Sequence, residues 1–200
     1  NGERVFLGWM SNWNNARNTH TTNWRSAMTL PRTLSLSKIK GDYVLQNKPV
    51  TQFDQQLTTA FSKEKIEIKK GSEKTLNYSN FNQSQIQFKA VNKNLILVFS
   101  NEVNDTLTLN YDAEKQQFSI DRRQSGKVNF EKSFGEKIHT TPTPNLISKS
   151  IDFQIILDWS SIENKLKGEV YSFTEQIFPN RPYTKLTIQS DDKKKKKNIN

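Results

Sequence analysis

The residues best equipped for chemistry lie near the start of the chain. The stretch GWMSNWNNARNTHTTNWRSAMTLPRTLSL, residues 8–36, sets three tryptophans and arginine among Asn, Ser and Thr. Aromatic faces flanked by amides and guanidinium suit a sugar-binding cleft: ring planes stack on the C–H faces of pyranose or furanose rings, while amides and guanidinium bond the hydroxyls. In an extended segment Val5, Leu7, Trp9, Ser11 and Trp13 share one face and Phe6, Gly8, Met10 and Asn12 the other. Trp9 and Trp13 therefore stand together unless a bend near Ser11 separates them. The same tryptophans could equally be ordinary core, and composition alone leaves both readings open.

Other chemistry-bearing residues are more scattered. Asp158 and Glu163 sit five apart on an expected strand and its turn, opposite in parity and with no third group to tune them. His20 and His139 are isolated from each other and from further ligands, so no metal site is expected. Asn77, Asn82 and Asn104 each open an N-x-S/T triplet, which matters as a glycan acceptor only in a eukaryotic secretory host.

The elements that must position these residues are strands. Ile66/Ile68, Ile86/Phe88, Leu95/Leu97/Phe99, Leu107/Leu109/Tyr111, Phe118/Ile120, Phe153/Ile155/Leu157/Trp159 and Leu186/Ile188 follow a period of two or fill short buried runs. Turn signals separate them at Lys70-Gly71-Ser72, Asn92-Lys93-Asn94, Asn104-Asp105, Ser125-Gly126, Lys167-Gly168 and Pro179-Asn180. No segment sustains a helical stripe, and residues 52–61 offer at most one short helix or turn. Short strands at this spacing with one apolar face predict a two-sheet sandwich over residues 41–190. The chain changes character at residues 37–42, where the tryptophan-rich chemistry stops. Residues 1–36 are too few to fold alone and hold strands, the first over 5–10 and the last over 27–36, that need pairing partners elsewhere.

Composition narrows the function classes. The chain has 200 residues, 33% hydrophobic and 10% aromatic, too apolar for disorder, and its mean hydropathy of −0.80 is too polar for a membrane protein. There is no cysteine, which removes disulfides and thiolate metal sites. Five of the ten net positive charges belong to Lys193–Lys197, inside a basic tail, residues 191–200, expected to be disordered and solvated. Elsewhere Lys and Glu interleave, so neither nucleic acid nor a membrane is expected as a partner.

Four sets of residues carry a resemblance. Gly8-Trp9-Met10-Ser11-Asn12-Trp13, followed by Asn23-Trp24-Arg25-Ser26-Ala27-Met28-Thr29-Leu30-Pro31-Arg32 and Leu34-Ser35-Leu36, resembles the last propeller blade of the microbial fructan hydrolases and invertases, glycoside hydrolase family 32. Ile120-Asp121-Arg122-Arg123-Gln124-Ser125-Gly126 is similar to that family's D-R-x-x-S-G stretch. Asp158-Trp159-Ser160-Ser161-Ile162-Glu163 is similar to its D-x-S-S-x-E strand, and Ile177-Phe178-Pro179 to its closing I-F-P.

The resemblance implies an all-β chain: the last blade strands of a five-bladed β-propeller over residues 1–40, with a linker, then a C-terminal β-sandwich over 41–190. It implies cleavage of β-fructofuranosyl linkages in sucrose, inulin or levan with retention, without metal or organic cofactor, in an extracellular or periplasmic setting. The family's nucleophile (W-M-N-D-P-N-G), stabiliser (R-D-P) and acid (E-C) motifs do not occur in this sequence, so no catalytic residue is expected here. The carboxylates are expected upstream of Asn1, in propeller blades that partner this segment. What remains is a share in the wall of the substrate funnel: Trp13 and Asn12, then Trp9, with Trp24 and Arg25 in support. Trp24-Arg25 could instead tie the blade to its neighbours, and Pro31-Arg32 is expected to close the propeller and address the sandwich. A carbohydrate-binding or scaffold sandwich is the alternative reading.

Overall fold

Among the described residues every strand is antiparallel to its neighbours, and the strands divide into three sheets. The computed structural model describes residues 2–39, 41–62, 65–166 and 170–190. The first sheet, in the order β1-β2-β3, comprises β1 (Val5–Phe6), β2 (Arg32–Ile39) and β3 (Asp42–Pro49). A helical turn, α1 (Thr51–Asp54), follows, overlapping the start of the 52–61 stretch expected to hold one at most. The remaining strands are β4 (Glu73–Asn77), β5 (Ser84–Val91), β6 (Leu95–Ser100), β7 (Thr106–Asp112), β8 (Gln117–Gln124), β9 (His139–Pro142), β10 (Ser150–Asp158), β11 (Ser161–Leu166), β12 (Tyr171–Gln176) and β13 (Lys185–Gln189). They form a six-stranded sheet, β4-β13-β6-β7-β8-β9, and a four-stranded sheet, β12-β11-β10-β5.

The two larger sheets make a β-sandwich. In β7 the sequence Thr-Leu-Thr-Leu-Asn-Tyr-Asp buries every second residue, Leu107, Leu109 and Tyr111. Across the gap β10 contributes Ile151, Phe153, Ile155 and Leu157. Rings interlock between the sheets, Tyr111 with Phe153 at 6.4 Å and Phe118 with Phe173 at 4.4 Å between centroids. Phe99, Leu107 and Ile162 are completely buried, and each such side chain contributes about 1.5–3 kcal/mol relative to exposure.

One close approach explains a glycine. Gly126 has φ +120°, and a Cβ there would run into the Phe178 carbonyl. The contact is secured by the Lys127 N–H donating to that same carbonyl at 2.8 Å. Only a residue without a side chain lets the end of β8 pass this near to residues 177–179, so the Ser125-Gly126 and Ile177-Phe178-Pro179 motifs meet in space.

Several sequence expectations are corrected. The first strand, expected over 5–10, pairs regularly only at Val5–Phe6, and beyond it Trp9 and Met28 form an isolated bridge. Regular pairing of the strand expected over 27–36 begins at Arg32 and runs on to Ile39. Residues 65–69 form no strand although Ile66 and Ile68 alternate. The outer strand of that sheet is instead β4, where Leu76 stands opposite Leu186 and supplies the cross-strand contact. Trp159 is not on a strand but in the β10–β11 turn, 54% exposed. The Lys167-Gly168 turn and the 191–200 tail lie outside the described residues.

Candidate functional site

The tryptophan-rich segment lies on the outward face of the four-stranded sheet. That face is built from rows set by the strand register: Gln85, Ile156, Glu163 and Thr174 side by side, and next to them Gln87, Gln154, Lys165 and Ser172. Strand β11, which reads Ser-Ile-Glu-Asn-Lys-Leu, is buried at all six positions. Its apolar parity enters the sandwich core, and its polar parity is covered by the chain's first fifty residues.

The cover is held by a buried polar network. Arg32, at the start of β2, pairs with the Glu163 carboxylate, and both side chains are nearly sealed from solvent, 7% and 3% exposed. The same guanidinium donates to Thr174 Oγ1 and Ser172 Oγ, each at 3.0 Å, and to Asn47 Oδ1 at 3.1 Å. Glu163 Oε1 accepts the Leu30 N–H at 2.7 Å. Lys165 Nζ donates to the Asn47 carbonyl oxygen at 3.0 Å and to Asn47 Oδ1 at 2.8 Å. Charges this deeply buried persist only when paired and hydrogen-bonded. Arg32 thus reaches the sandwich. Glu163 is not the untuned partner of Asp158 expected from spacing. The hairpin register, Asp158 opposite Ser161 and Ile156 opposite Glu163, places the two carboxylates on the same outward face. Counting parity straight through the turn missed this.

Further contacts seat the rest of the segment. Ser11 Oγ donates to Gln176 Oε1 at 3.2 Å, and Asn18 Nδ2 to Glu131 Oε2 at 2.8 Å. The His20 ring stands edge-on to Phe178 at 4.6 Å and to Phe130 at 5.5 Å. Burial, reinforced by Lys127 and Arg25, lowers the His20 pKa below its ordinary 6.5. Beside this box Arg122 lies over the Phe134 ring at 3.7 Å and pairs with Glu175 at 2.8 Å, and Glu175 also contacts His139.

The tryptophans themselves stay partly in solvent. Trp9 and Trp13 meet edge-on with centroids 5.1 Å apart, so the expected pairing of these rings occurs, made by the turn that follows Asn12. Trp13 is 79% exposed, while Trp9 and Trp24 are exposed to lesser degrees. The backbone behind them is tied across the segment: Thr29 N–H donates to the Gly8 carbonyl at 2.8 Å and Met10 N–H to the Ala27 carbonyl at 2.9 Å. Asn12 builds the turn. Its Oδ1 accepts the Asn14 N–H at 2.9 Å and its carbonyl accepts from Asn15 and Ala16. Arg25 donates to Thr21 Oγ1 and to the Trp24 carbonyl, both at 2.9 Å, bracing the loop that carries Trp24. The structure therefore brings Trp9, Asn12 and Trp13 together, with Trp24 and Arg25 on a neighbouring loop.

Beneath this segment runs a cleft of about 750 Å³ between Met28 and Leu30 on one side, Phe53 and Phe61 on another, and Gln85 and Asp158 on the floor. Of the three glycan-acceptor asparagines, Asn77 and Asn104 are exposed. Asn82 is fully buried, its amide donating to the Asp158 carbonyl and its Oδ1 accepting the Tyr183 N–H.

Comparison with known proteins fixes the lineage. Residues 16–200 match the model of "Glycosyl hydrolases family 32 C terminal". The chain belongs to glycoside hydrolase family 32. Relatives of this family-32 chain include an extracellular exo-inulinase of Aspergillus awamori, 29% identical over 183 residues, which cover 88% of this chain and 34% of the relative. A levanase of Bacillus subtilis is 28% identical over 184 residues, covering 89% of this chain and 27% of the relative. The chain thus spans about a third of the length of the curated relatives it matches. Among solved structures, a fructofuranosidase from Schwanniomyces occidentalis in complex with fructosylnystose matches with TM-score 0.76 at 19% identity, covering 96% of this chain and 42% of that one. The exo-inulinase from Aspergillus awamori matches with TM-score 0.68 at 22% identity, covering 95% of this chain and 38% of that one. At such identities the likeness shows the fold.

Proposed function

We propose that the chain is the C-terminal portion of a secreted β-fructosidase that cleaves β-fructofuranosyl linkages of levan, inulin or sucrose with retention. It contributes one wall of the substrate cleft and a structural sandwich, and no catalytic carboxylate. The observation that carries this reading is the edge-on Trp9–Trp13 pair, held outside the sandwich with Trp13 largely in solvent. Burying both rings in a core would gain several kcal/mol. Their outward placement on a braced turn is what a stacking surface for sugar rings requires.

The chemistry of retention needs two carboxyl groups about 5–5.5 Å apart, one ionised and one protonated. Glu163, on the covered outer face, is committed to Arg32 and to the Leu30 N–H. We assign the nucleophile, the acid and the stabiliser to propeller blades encoded upstream, against which the β1-β2-β3 sheet completes the last blade; β3 carries that sheet to Pro49, past the boundary expected at residue 40. In that arrangement Trp13 and Trp9 face substrate, Asn12 shapes the turn that presents them, and Trp24 and Arg25 form the adjoining loop. No cofactor enters the reaction. The relatives named extracellular support export from the cell.

A sandwich binding sugar by itself finds less support. The open face of the six-stranded sheet presents Thr75, Thr187, Thr108 and Asp121 and no aromatic ring on its outward rows. The test is to assay fructose release from sucrose, inulin and levan by the 200-residue chain alone and joined to its upstream coding sequence. The isolated chain is expected to be inactive and the longer protein active. Replacing Trp13 by Ala in the longer protein is expected to raise KM for fructan about tenfold, from the loss of 1–1.5 kcal/mol of stacking. Activity in the isolated chain would overturn the assignment of the carboxylates.

A further inference from the structure

The covalent connection between the indole pair and the sandwich is long, and the physical connection is short. Glu163 Oε1 receives the Leu30 N–H at 2.7 Å. Leu30 follows Met28 and Thr29, which bridge directly to Trp9 and Gly8. On the other side of Trp9, Ser11 Oγ bonds Gln176 Oε1 at 3.2 Å, and Ser11 stands between Trp9 and Trp13 in sequence. Glu163 and Gln176 project from neighbouring strands of one rigid sheet. The segment they hold has little regular pairing of its own, two residues in β1 and one bridge. Two fixed points on a sheet therefore define the line along which the indoles stand.

We propose that Glu163 and Gln176 are positioning residues for the Trp9–Trp13 wall, so that the sandwich sets the spacing and tilt of the aromatic surface offered to the sugar. This rests on the functional reading above but concerns different residues, which touch the segment's backbone and Ser11 and not the substrate. The carboxylate of Glu163 has two separable duties. One oxygen holds the Leu30 N–H, and the other neutralises Arg32. Glu163→Gln keeps an acceptor for Leu30 while removing the counter-charge. Exchanging both Arg32 and Glu163 for Met removes the two members of the charged pair together, so that neither is stranded without the other, yet it still deletes the Leu30 acceptor.

The experiment has two readouts. In the 200-residue chain, the exciton couplet of the edge-on indole pair in far-ultraviolet circular dichroism reports the Trp9–Trp13 geometry, with Trp13→Phe as the control that abolishes it. In the protein extended by its upstream sequence, KM and kcat are measured on inulin and levan. Glu163→Gln is expected to retain most of the couplet. The double Met variant and Gln176→Ala are expected to unfold cooperatively, lose at least half of the couplet, and raise KM about fivefold with kcat changed less than twofold, the pattern of lost uniform binding. A couplet and KM unchanged in the folded double Met variant would overturn the proposal, as would kcat falling in step with kcat/KM while KM stays constant. If the extended wild-type protein releases no fructose, the functional reading fails and the couplet alone decides the positioning role.

Discussion

The two outward faces of the sandwich are written in the same polar alphabet and meet opposite fates. On the six-stranded sheet Thr75 and Thr187 share a hydrogen bond at 3.0 Å, and Asp121 is gripped by Arg123 in a two-bonded fork at 2.9 and 2.8 Å. These groups satisfy one another at the surface, and the fork holds the Asp121 carboxyl below its usual pKa. On the four-stranded sheet Glu163, Lys165 and Gln176 are each 2% exposed and depend on partners from residues 11–47. A polar row thus serves as finished surface on one side and as half of an interface on the other. What separates them is whether the partners stand on the same sheet or come from a segment outside it. Arg123 lies 2 residues from Asp121, whereas Arg32 lies 131 from Glu163.

That contrast can be broken in graded steps. The largest effect is expected from Lys165→Ala. It strips Lys165's bond from the Asn47 carbonyl, leaves Asn47 Oδ1 to Arg32 alone and removes charge-assisted hydrogen bonds, each worth about 1.5–3 kcal/mol, so urea unfolding should show a loss of about 3 kcal/mol. A smaller effect is expected at His20. Its pKa is lowered in the docked state, so the neutral form is the one that fits the Phe130–Phe178 box. Above about pH 6.5 its contribution is complete. As pH falls from there through the lowered folded value, the undocked state takes up the proton first and stability drops. A titration of Tm in wild type and His20→Gln should show this slope only in the wild type. The smallest effect is expected from Thr187→Ala, within about 0.5 kcal/mol, because its bond to Thr75 is exposed. A Thr187→Ala loss as large as that of Lys165→Ala would erase the distinction between the faces.

Most of the sandwich was legible because alternation reports burial on one face. β6, β7, β8, β10 and β13 follow their Leu, Ile and Phe positions closely. β11 was not legible in this way. A strand covered on both sides is expected to be apolar on both, yet Ser161, Glu163 and Lys165 are buried by polar partners that period-two counting cannot see. The Asp158 to Glu163 motif was the available signal, and it marked the strand without revealing its partner. In the site, parity in an extended segment anticipated the meeting of Trp9 with Trp13, but not the turn after Asn12 that makes it. The Glu163–Arg32 pairing was not anticipated, because a contact spanning most of the chain depends on which sheet face the first fifty residues choose. Ile66 and Ile68 misled for the converse reason, since alternation has no consequence without a neighbouring strand to receive it.

The distance between Arg32 and Glu163 along the chain sets an order of events during synthesis. At about 5–20 residues per second, the ribosome needs roughly 7–26 seconds to deliver the acceptor carboxylate after the arginine has emerged. Throughout that interval Arg32, the Leu30 N–H and Ser11 have no sandwich to bond to. A nascent chain in this condition is a natural client for holding chaperones, and premature termination anywhere before residue 163 would leave the aromatic ribbon permanently unseated.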